Sequence, residues 1–439
     1  MPMRSRNLSL ACCFLCVSCQ AGSLQLNSLA LDTSLFTVSR FASVPGPLAL
    51  LDLPDGSLAV GSYANGIVRF ADSNHDGVAD GTGTTLYSPP GARLGLVRAG
   101  GYVIDSNYGT YYSGSVTPTI TLLQPGATAD APLTAAGSLQ FGFPSNWEHN
   151  TPGIATRPTP GKPGSYDLVF NIGAQFDHEA SVGTVQVSGL ISGTLDGDSL
   201  YSVTLDLSGS QPAASNLHKV ASGIRNVIGM GFQPNTGDFY FLDNAIDGTG
   251  PLGDEPPQAE EINRIAAADF GTGTPPDFGY PSCYVQYRTG AQVGSGCVAP
   301  FYAIQPLPNG TALGSEAEGV TLFDFAPANF PVGFNNGIFI GFAGKPYGTG
   351  AANEENAVGY YDFSSGNFIH FSENSQDGVY QPIGIRATAD SLFIADYGAG
   401  VVYEVTAAAP EPAAAALCVS GLILALLRRR SGWGRRTEA

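Results

Sequence analysis

Apolar and polar residues alternate along most of this chain, in short runs separated by turns rich in glycine, proline and aspartate. In the clearest run, Ile228, Met230 and Phe232 alternate with glycines, which is typical of a strand packed tightly on both faces. The segment 234–237 reads Pro-Asn-Thr-Gly, and Asn and Gly tolerate the positive φ that a tight reversal needs. The pattern therefore predicts a β-hairpin whose return strand leads to Asp243.

The same unit recurs along the chain: an apolar strand, a turn, an apolar return strand and a polar residue at its end. Copies begin near Pro47, Arg93, Pro152, Gly223, Ala317 and Pro382. Their spacing mostly exceeds the ~40–50 residues of regular propeller repeats, so we expect long rim loops. The predicted fold is all-β, a six-bladed β-propeller around a central channel. The alternative is a two-sheet sandwich, which seldom runs to this length without a break.

One strand is left over before the first copy. Ser34–Val44 has the pattern of a strand, yet no return strand pairs with it locally. We expect it to join the last sheet, beside Val401–Val405, and so to close the ring.

The composition agrees with a propeller and narrows the range of partners. The chain has 439 residues, 57 glycines and 31 prolines, and only 13% of its residues are charged. Its formal net charge is −18. Such an acidic surface repels phosphate backbones, so we expect no nucleic-acid partner. It suits an extracellular setting with divalent cations.

Residues 1–21 have the features of a secretory signal peptide. Two arginines precede an apolar run, and the small residue Ala21 offers a cleavage site. The stretch from Cys16 to Cys19 partly matches a lipoprotein box, so lipidation at Cys19 stays open. We expect an exported protein whose propeller spans 22–409.

The last segment, 410–439, has the features of a second targeting signal. Pro410-Glu411-Pro412 precedes a run of small or apolar residues and then Arg428-Arg429-Arg430. This order resembles the PEP-CTERM sorting signal of exopolysaccharide-producing Gram-negative bacteria. The resemblance implies a transient membrane anchor, a sorting protease acting at the Pro-Glu-Pro, and a location at the cell surface or in the extracellular matrix. An ordinary tail anchor is the alternative, although the apolar run is shorter than the usual ~20 residues.

The cysteines divide by location. Of seven, Cys283 and Cys297 belong to the folded body, and the others lie in the two terminal segments. Two cysteines this close together in an exported chain are expected to form a disulfide. A metal site would need more ligands of the same kind.

A short acidic segment after the first repeat has the spacing of a calcium loop. It reads Asp-Ser-Asn-His-Asp-Gly-Val-Ala-Asp, with oxygen-bearing side chains at Asp72, Asn74, Asp76 and Asp80. Alternating oxygen ligands with glycine in the sixth place fold a chain around a hard cation. Gly83 stands where a bidentate glutamate is expected, so the site would be weaker or take a ligand from elsewhere. The alternative is a solvated acidic turn.

The hairpin region carries a family resemblance. Arg225-Asn226 opens a strand, and the turn at 234–237, Glu260-Glu261-Ile262-Asn263 and Phe278-Gly279-Tyr280-Pro281 follow in order. These motifs resemble those of the glucose/sorbosone dehydrogenase family of quinoprotein β-propellers. The resemblance implies pyrroloquinoline quinone (PQQ) and calcium as cofactors, and a sugar or aldose as the substrate.

The same resemblance implies roles for three residues. His149 stands where the family has the base that takes the substrate's hydroxyl proton, and imidazole suits this task because its pKa lies near working pH. Arg225 and Asn226 stand where the family contacts the cofactor's carboxylates and carbonyl oxygens. Alternatively, His149 is a loop histidine bonded to the backbone. Arg225 would then bridge to Asp243 or Asp247 across the hairpin.

Two features of the chain leave the chemistry open. Acidic residues crowd the loop behind the hairpin, where they invite a cation or form a solvated loop: Asp247, Asp254, Glu255, Glu260 and Glu261. Basic or histidine-containing stretches of the family are replaced at 314–317, at 342–346 and at Gln381, with Lys345 restoring one charge. Such losses favour a non-catalytic propeller that binds glycan or protein in the exopolysaccharide matrix. A calcium-dependent lactonase-like propeller is the third hypothesis.

Overall fold

The computed structural model describes residues 24–107, 117–246, 257–305, 319–343, 357–373 and 381–409. The two predicted terminal targeting signals, 1–21 and 410–439, lie outside these residues. Within them the chain forms an all-β, six-bladed propeller, as predicted, and the sandwich alternative is wrong. No helix in this part of the chain is long and apolar enough to cross a membrane.

The chain enters through a 3₁₀ turn, Thr33–Leu35, and strand β1, Phe36–Ser43. Blade 1 follows with β2 (Pro47–Asp52), β3 (Leu58–Ser62), β4 (Gly66–Phe70) and β5 (Thr84–Tyr87). Blade 2 begins with β6 (Arg93–Ala99), β7 (Tyr102–Asn107), β8 (Thr119–Gln124) and β9 (Thr134–Gly142). Blade 3 begins with β10 (Ile154–Pro158) and β11 (Ser165–Ile172).

The chain then returns to blade 2, which it extends to six strands with β12 (Thr184–Gly189) and β13 (Gly193–Asp196). Blade 3 is completed by β14 (Ser199–Asp206) and β15 (Ala213–Ser222). Blade 4 contains β16 (Met230–Phe232), β17 (Phe239–Asp243), β18 (Glu261–Ile265) and β21 (Tyr302–Ala303). Between β18 and β21 the chain forms a separate small hairpin, β19 (Tyr284–Val285) and β20 (Gln292–Val293).

Blade 5 contains β22 (Val320–Phe325), β23 (Gly337–Phe342), β24 (Gly359–Asp362) and β25 (Phe368–His370). Blade 6 contains β26 (Pro382–Ala387), β27 (Ser391–Asp396) and β28 (Val401–Ala407). Strand β1 pairs antiparallel with β28, with Phe36 opposite Ala407 and Ser43 opposite Val401. The predicted closure of the ring by the N-terminal strand is therefore confirmed.

Six apolar layers hold the blades together, one between each pair of neighbours. The layer between blades 2 and 3, for example, packs Phe141 against Phe170, whose ring centroids are 5.3 Å apart. The layer between blades 6 and 1 contains Phe41 and Phe393 at 5.1 Å. Because both faces of each sheet are covered, the strands are apolar on both sides, as the sequence pattern indicates.

Glycines allow the innermost strands to approach one another closely. A Cβ on Gly384 of β26 would lie 1.8 Å from the carbonyl oxygen of Leu48 in β2. A Cβ on Gly229 would lie 2.3 Å from the carbonyl oxygen of Thr321 in β22. Side chains at these positions would push neighbouring blades apart, so the glycines set the width of the ring.

The channel has two ends, which we name by the direction of the innermost strands. These strands begin at the upper end and finish at the lower end, and they are β2, β6, β10, β16, β22 and β26. A cavity of about 540 Å³ occupies the lower part of the channel, between residues such as Leu51, Phe232 and Arg386. The sequence-predicted cofactor residues lie at the other end.

Candidate active site at the upper end of the channel

The segment that follows β11 brings His149 and Arg225 together. The backbone N–H of Ala174 donates to the carbonyl oxygen of Arg225 at 2.7 Å, and Nδ1 of His149 lies 2.9 Å from the carbonyl oxygen of Ala174. A Cβ on Gly173 would lie 2.7 Å from Cβ of His149 and 3.0 Å from the carbonyl oxygen of Arg225. Only glycine fits between them, so the end of β11 fixes the distance between these two residues.

The environment of His149 fixes its chemistry. Because Nδ1 faces a carbonyl oxygen, it carries the hydrogen, and the lone pair lies on Nε2. Burial, and then the charge of Arg225, lower the pKa of His149 to about 4. The imidazole is therefore neutral at working pH, with one nitrogen able to accept a proton.

Arg225 is buried and its guanidinium pairs with Asp177. Nε donates to Oδ1 of Asp177 at 2.6 Å, and Nη2 contacts the same oxygen. Asp243, which sequence analysis offered as a partner of Arg225, instead accepts the backbone N–H groups of Arg225 at 3.0 Å and Asn226 at 2.8 Å. The other partner offered, Asp247, lies outside the described residues.

Asn226 presents a buried oxygen for which the described part of the chain supplies no hydrogen-bond donor. Its Nδ2 donates to Oδ1 of Asn244 at 2.9 Å. Its own Oδ1 is buried and has no hydrogen-bond partner among the described residues. An acceptor of this kind can receive a hydrogen bond from a ligand or bind a cation.

Three carboxylates are buried beside these residues, in blade 4. Burial raises the pKa of Asp243 to about 6, and those of Glu260 and Glu261 to about 8. Arg225 opposes the rise for Asp243 and Glu260, whereas the charge of Asp243 adds to the rise for Glu261. Shifts of this size on several neighbouring groups are typical of functional sites.

Glu260 also joins blade 4 to blade 5. Its carboxylate accepts the backbone N–H of Gly319 at 2.7 Å. Nδ2 of Asn244 donates to the carbonyl oxygen of Val320 at 2.7 Å. The upper end of β22 is thus held against the candidate site. The remaining residues of the predicted acidic loop, Asp247, Asp254 and Glu255, lie outside the described residues, as do 314–317 and Lys345.

Sequence analysis missed two residues of this site, Asp177 and His178. They lie in the loop after β11, and Nε2 of His178 is 2.7 Å from Oδ2 of Asp177. The signal that could have found them is their position, because polar residues just beyond a buried strand end are frequent in sites.

The predicted calcium loop lies at the opposite end, between blades 1 and 6, where Ser39 donates to the carbonyl oxygen of Gly77. Its carboxylates accept backbone hydrogen bonds, among them Gly77 N–H to Asp72 at 2.9 Å and Ser73 N–H to Asp80 at 2.7 Å. Asn74 and Asp76 are joined by a side-chain hydrogen bond of 3.0 Å. In the described part of the chain, no three His, Cys, Asp or Glu side chains are grouped to hold a metal. Calcium in this loop stays a prediction.

The predicted disulfide is present. Cys283 and Cys297 are bonded, with their Cα atoms 6.3 Å apart. The bond ties together the two sides of the β19–β20 hairpin, which packs beside the start of β18 through the backbone bond from Ala259 to Val285. It therefore supports the segment that leads into Glu260 and Glu261.

Comparison with solved structures identifies proteins that share this fold. A calcium structure of a Trichoderma reesei carbohydrate-active enzyme of family AA12 is 14% identical, with a TM-score of 0.58, and the match covers 86% of this chain and 97% of that one. The holo form of the PQQ domain of pyranose dehydrogenase from Coprinopsis cinerea is 13% identical, with a TM-score of 0.55, over 87% and 97% of the chains.

A structure described as glucose dehydrogenase is also similar, at 13% identity and a TM-score of 0.52 over 85% of this chain and 100% of that one. No protein-family model and no curated protein sequence matches the chain. At identities this low, the likeness establishes the propeller fold, and the chemistry has to be argued from the site.

Proposed function

We propose that this protein is an oxidoreductase that oxidises a sugar hydroxyl or hemiacetal at the upper end of the channel, with PQQ and calcium. The observation that carries the proposal is the His149–Gly173–Arg225 arrangement, which places a proton-accepting imidazole beside a buried guanidinium. The structural similarity to a pyranose dehydrogenase PQQ domain and to a glucose dehydrogenase supports it.

The residues present fit PQQ only together with a divalent cation. Arg225 offers positive charge and Asn226 an unsatisfied oxygen, which suit carboxylate and carbonyl or metal contacts respectively. Asp243, Glu260 and Glu261 are buried beside them, so wherever these groups are ionised a tricarboxylated quinone would be repelled unless a cation such as calcium neutralised part of the charge. Bound there, the quinone would supply the hydride acceptor.

The chain's own residues would orient the sugar and receive its proton. Nε2 of His149 accepts the hydrogen bond of the sugar hydroxyl and is the first acceptor for its proton. Arg225 and Asn226 hold the cofactor, and the ion pair with Asp177 keeps the guanidinium in place. We further propose export, with sorting by a protease at Pro410-Glu411-Pro412 to the surface of a Gram-negative bacterium.

Two variants test this proposal. His149→Ala should lower dye-linked sugar oxidation by roughly 10²–10⁴-fold and leave quinone binding nearly unchanged, because it removes a proton acceptor and no cofactor contact. Arg225→Ala should weaken quinone binding by about 1.5–3 kcal/mol, because a charge-assisted hydrogen bond is lost. Bound-quinone absorbance at millimolar calcium measures binding. Equal effects of both variants on binding and on oxidation would contradict the division of roles.

A non-catalytic propeller that binds glycan or protein in the matrix is the second candidate. One observation favours it: the guanidinium of Arg225 pairs with Asp177, and this carboxylate offsets the positive charge that an anionic cofactor would need. If the wild-type protein binds no quinone at millimolar calcium, this candidate replaces the first. The lactonase-like alternative needs carboxylates converging in the channel, and it stays a third hypothesis.

A further inference from the structure

The loop after β11 holds Asp177 and His178 in a defined position. The hydroxyl oxygen of Tyr280 lies 2.7 Å from the carbonyl oxygen of Phe176 and 3.1 Å from that of Glu179, on either side of the pair, so its single hydrogen is shared between the two acceptors. A hydroxyl bonded to both flanks of a dipeptide limits its movement. The two side chains are therefore presented at the upper end by a loop of fixed shape.

The base of the same loop is closed by side-chain hydrogen bonds. Oγ of Ser181 donates to Oδ1 of Asp198 at 2.7 Å and accepts the backbone N–H of Gln175 at 2.7 Å. Oε1 of Gln175 accepts the backbone N–H of Gly183 at 2.9 Å. The start and the end of the loop are thus joined, which gives the loop a preorganised shape.

The carboxylate of Asp177 links a guanidinium to an imidazole. Oδ1 accepts from Nε of Arg225 at 2.6 Å, and Oδ2 lies 2.7 Å from Nε2 of His178. A carboxylate only accepts, so Nε2 of His178 carries the hydrogen and the lone pair lies on Nδ1. The side chain of His178 is 43% exposed, so a ligand at the upper end can reach it.

His149 and His178 differ as proton acceptors. His149 is partly buried beside the Arg225 guanidinium, and burial and that charge lower its pKa to about 4, so a proton held there at neutral pH is unstable. His178 instead has the carboxylate of Asp177 as its immediate neighbour, with Nε2 2.7 Å from Oδ2. A carboxylate bonded to one imidazole nitrogen is the geometry that orients a histidine to accept a proton on the other nitrogen.

We propose that Asp177 and His178 form a second proton-accepting group, in which Nδ1 of His178 holds the proton that leaves the sugar hydroxyl and Asp177 is the positioning residue. This inference rests on the proposed function. The step would balance: the O–H proton would end on His178 and the C–O bond would become C=O, while the C–H hydrogen would leave as hydride, with two electrons, to the quinone of the proposed function. His149 makes the first hydrogen bond to the hydroxyl.

The first test does not depend on activity. In long-range ¹H–¹⁵N spectra of the histidine-labelled full chain, His178 should show the Nε2–H tautomer, and Asp177→Asn should reduce that preference. His149, whose Nδ1 faces a carbonyl oxygen, should show the opposite Nδ1–H tautomer. A His178 with hydrogen on Nδ1 in the wild type, or one unaffected by Asp177→Asn, would overturn the inference.

The second test uses the quinone-loaded protein. His178→Ala should lower kcat for sugar oxidation roughly 10–100-fold with quinone binding unchanged, and added imidazole should restore part of it because the site is exposed. His218→Gln, at a histidine in blade 3 remote from this loop, is the control and should behave as wild type. If wild type oxidises sugar and His178→Ala is equally fast, the inference is wrong and the proposed function stands. The same holds if His178→Ala is slow and imidazole does not rescue it. If wild type oxidises no sugar, the proposed function fails and the inference with it.

Discussion

Charged side chains have different partners at the two ends of the propeller. At the lower end, arginines pair with aspartates in several blades: Arg69 with Asp55 and Asp130, Arg157 with Asp167, Arg264 with Asp238, and Arg386 with Asp52 and Asp324. At the upper end, blade 4 buries Asp243, Glu260 and Glu261 beside Arg225, whose guanidinium pairs with Asp177. These lower-end aspartates contact guanidinium groups directly, whereas in blade 4 at the upper end Asp243, Glu260 and Glu261 are bonded to backbone and amide groups, and Arg225 opposes the pKa rise of Asp243 and Glu260 through its charge.

The difference also appears in the pKa values of single carboxyl groups. Partial burial disfavours ionisation of Asp238, but hydrogen bonds from Ala267 and Arg264 outweigh it and lower its pKa. Burial raises the pKa of Glu261, and hydrogen bonds from Asn263 and Gln258 do not offset it. Burial also raises the pKa of Asp324 at the lower end, although Arg386 opposes the rise. Ion pairs with arginine reduce the cost of burial at the lower end, whereas for Glu261 in blade 4 only hydrogen bonds oppose it.

A buried acid whose pKa is raised to about 8 lowers stability as the pH rises and it ionises, so its presence needs a reason other than folding. Strained or electrostatically unfavourable groups tend to persist where a ligand relieves them. Cationic ligands would relieve Glu261, and a ligand with donors would satisfy Oδ1 of Asn226. The lower end thus resembles a stabilising framework, and the upper end has the properties expected of a site.

The largest effect is expected from removing a lower-end arginine. Arg386→Met leaves the carboxylates of Asp52 and Asp324 without their shared cation, so it should lower the free energy of unfolding by about 3–5 kcal/mol. Urea unfolding near pH 7 measures this. Arg98→Met, at an exposed arginine of the same end, is the control and should change stability by less than about 0.5 kcal/mol. Similar small losses in both variants would remove the contrast between the two ends.

A stabilising effect is expected from neutralising an upper-end acid. The pKa of Glu261 is about 8 in the folded protein, above its ordinary value of 4.5, so the folded state holds this proton more tightly than the unfolded state. Its contribution to stability is therefore full below pH 4.5 and is lost as the pH rises to about 8. Glu261→Gln keeps the neutral form at all pH values. It should exceed wild type in stability by roughly 4–5 kcal/mol at pH 9, and by about 1 kcal/mol at pH 5.

Unfolding of both proteins at pH 5 and pH 9 measures this effect. Glu148→Gln, at an exposed glutamate near the same end, is the matched control and should change stability by less than about 0.5 kcal/mol at either pH. If Glu261→Gln is destabilising at pH 9, the carboxylate has a stabilising partner, and the upper end is better compensated than its described residues indicate.

The fold could be predicted because the same sequence pattern recurs in each blade. The innermost strands begin at Pro47, Arg93 and Pro382, where the copies were expected to begin. The extension of blade 2 by β12 and β13 was missed, because an alternating strand looks the same whichever sheet it joins. The disulfide was predictable because the folded body contains only Cys283 and Cys297.

The candidate site was less predictable, for a physical reason. Arg225 was assigned partners close to it in the hairpin, Asp243 and Asp247, because spacing along a chain predicts only local contacts. Its guanidinium pairs with Asp177, which a loop of the preceding blade brings close, whereas Asp243 accepts backbone N–H groups and Asp247 lies outside the described residues. Ion pairs between blades depend on how neighbouring sheets pack, and no local pattern records them. His178 was missed for the same reason.

The smallest effect concerns the loop 72–80, which tests whether the lower end also needs a cation. Its acids accept backbone hydrogen bonds, including Val78 N–H to Asp76 at 2.9 Å, so the loop is held without metal. A calcium site lacking the bidentate glutamate should bind weakly, with a Kd near the millimolar range of extracellular modules. At about tenfold excess over Kd, calcium should raise the unfolding free energy by about 1 kcal/mol, or Tm by roughly 1–3 °C.

The measurement is the difference in Tm between calcium and chelator for each variant. The difference is used because Asp76→Ala also removes the hydrogen bond from Val78 N–H and so lowers Tm in both solutions. Wild type should show the difference and Asp76→Ala should lose it, while Asp390→Ala, at an exposed acid elsewhere on the lower end, should keep it. A calcium response that survives in Asp76→Ala would place the cation outside this loop. No response in wild type would make the loop an acidic turn and leave the lower end fully served by its arginines and backbone.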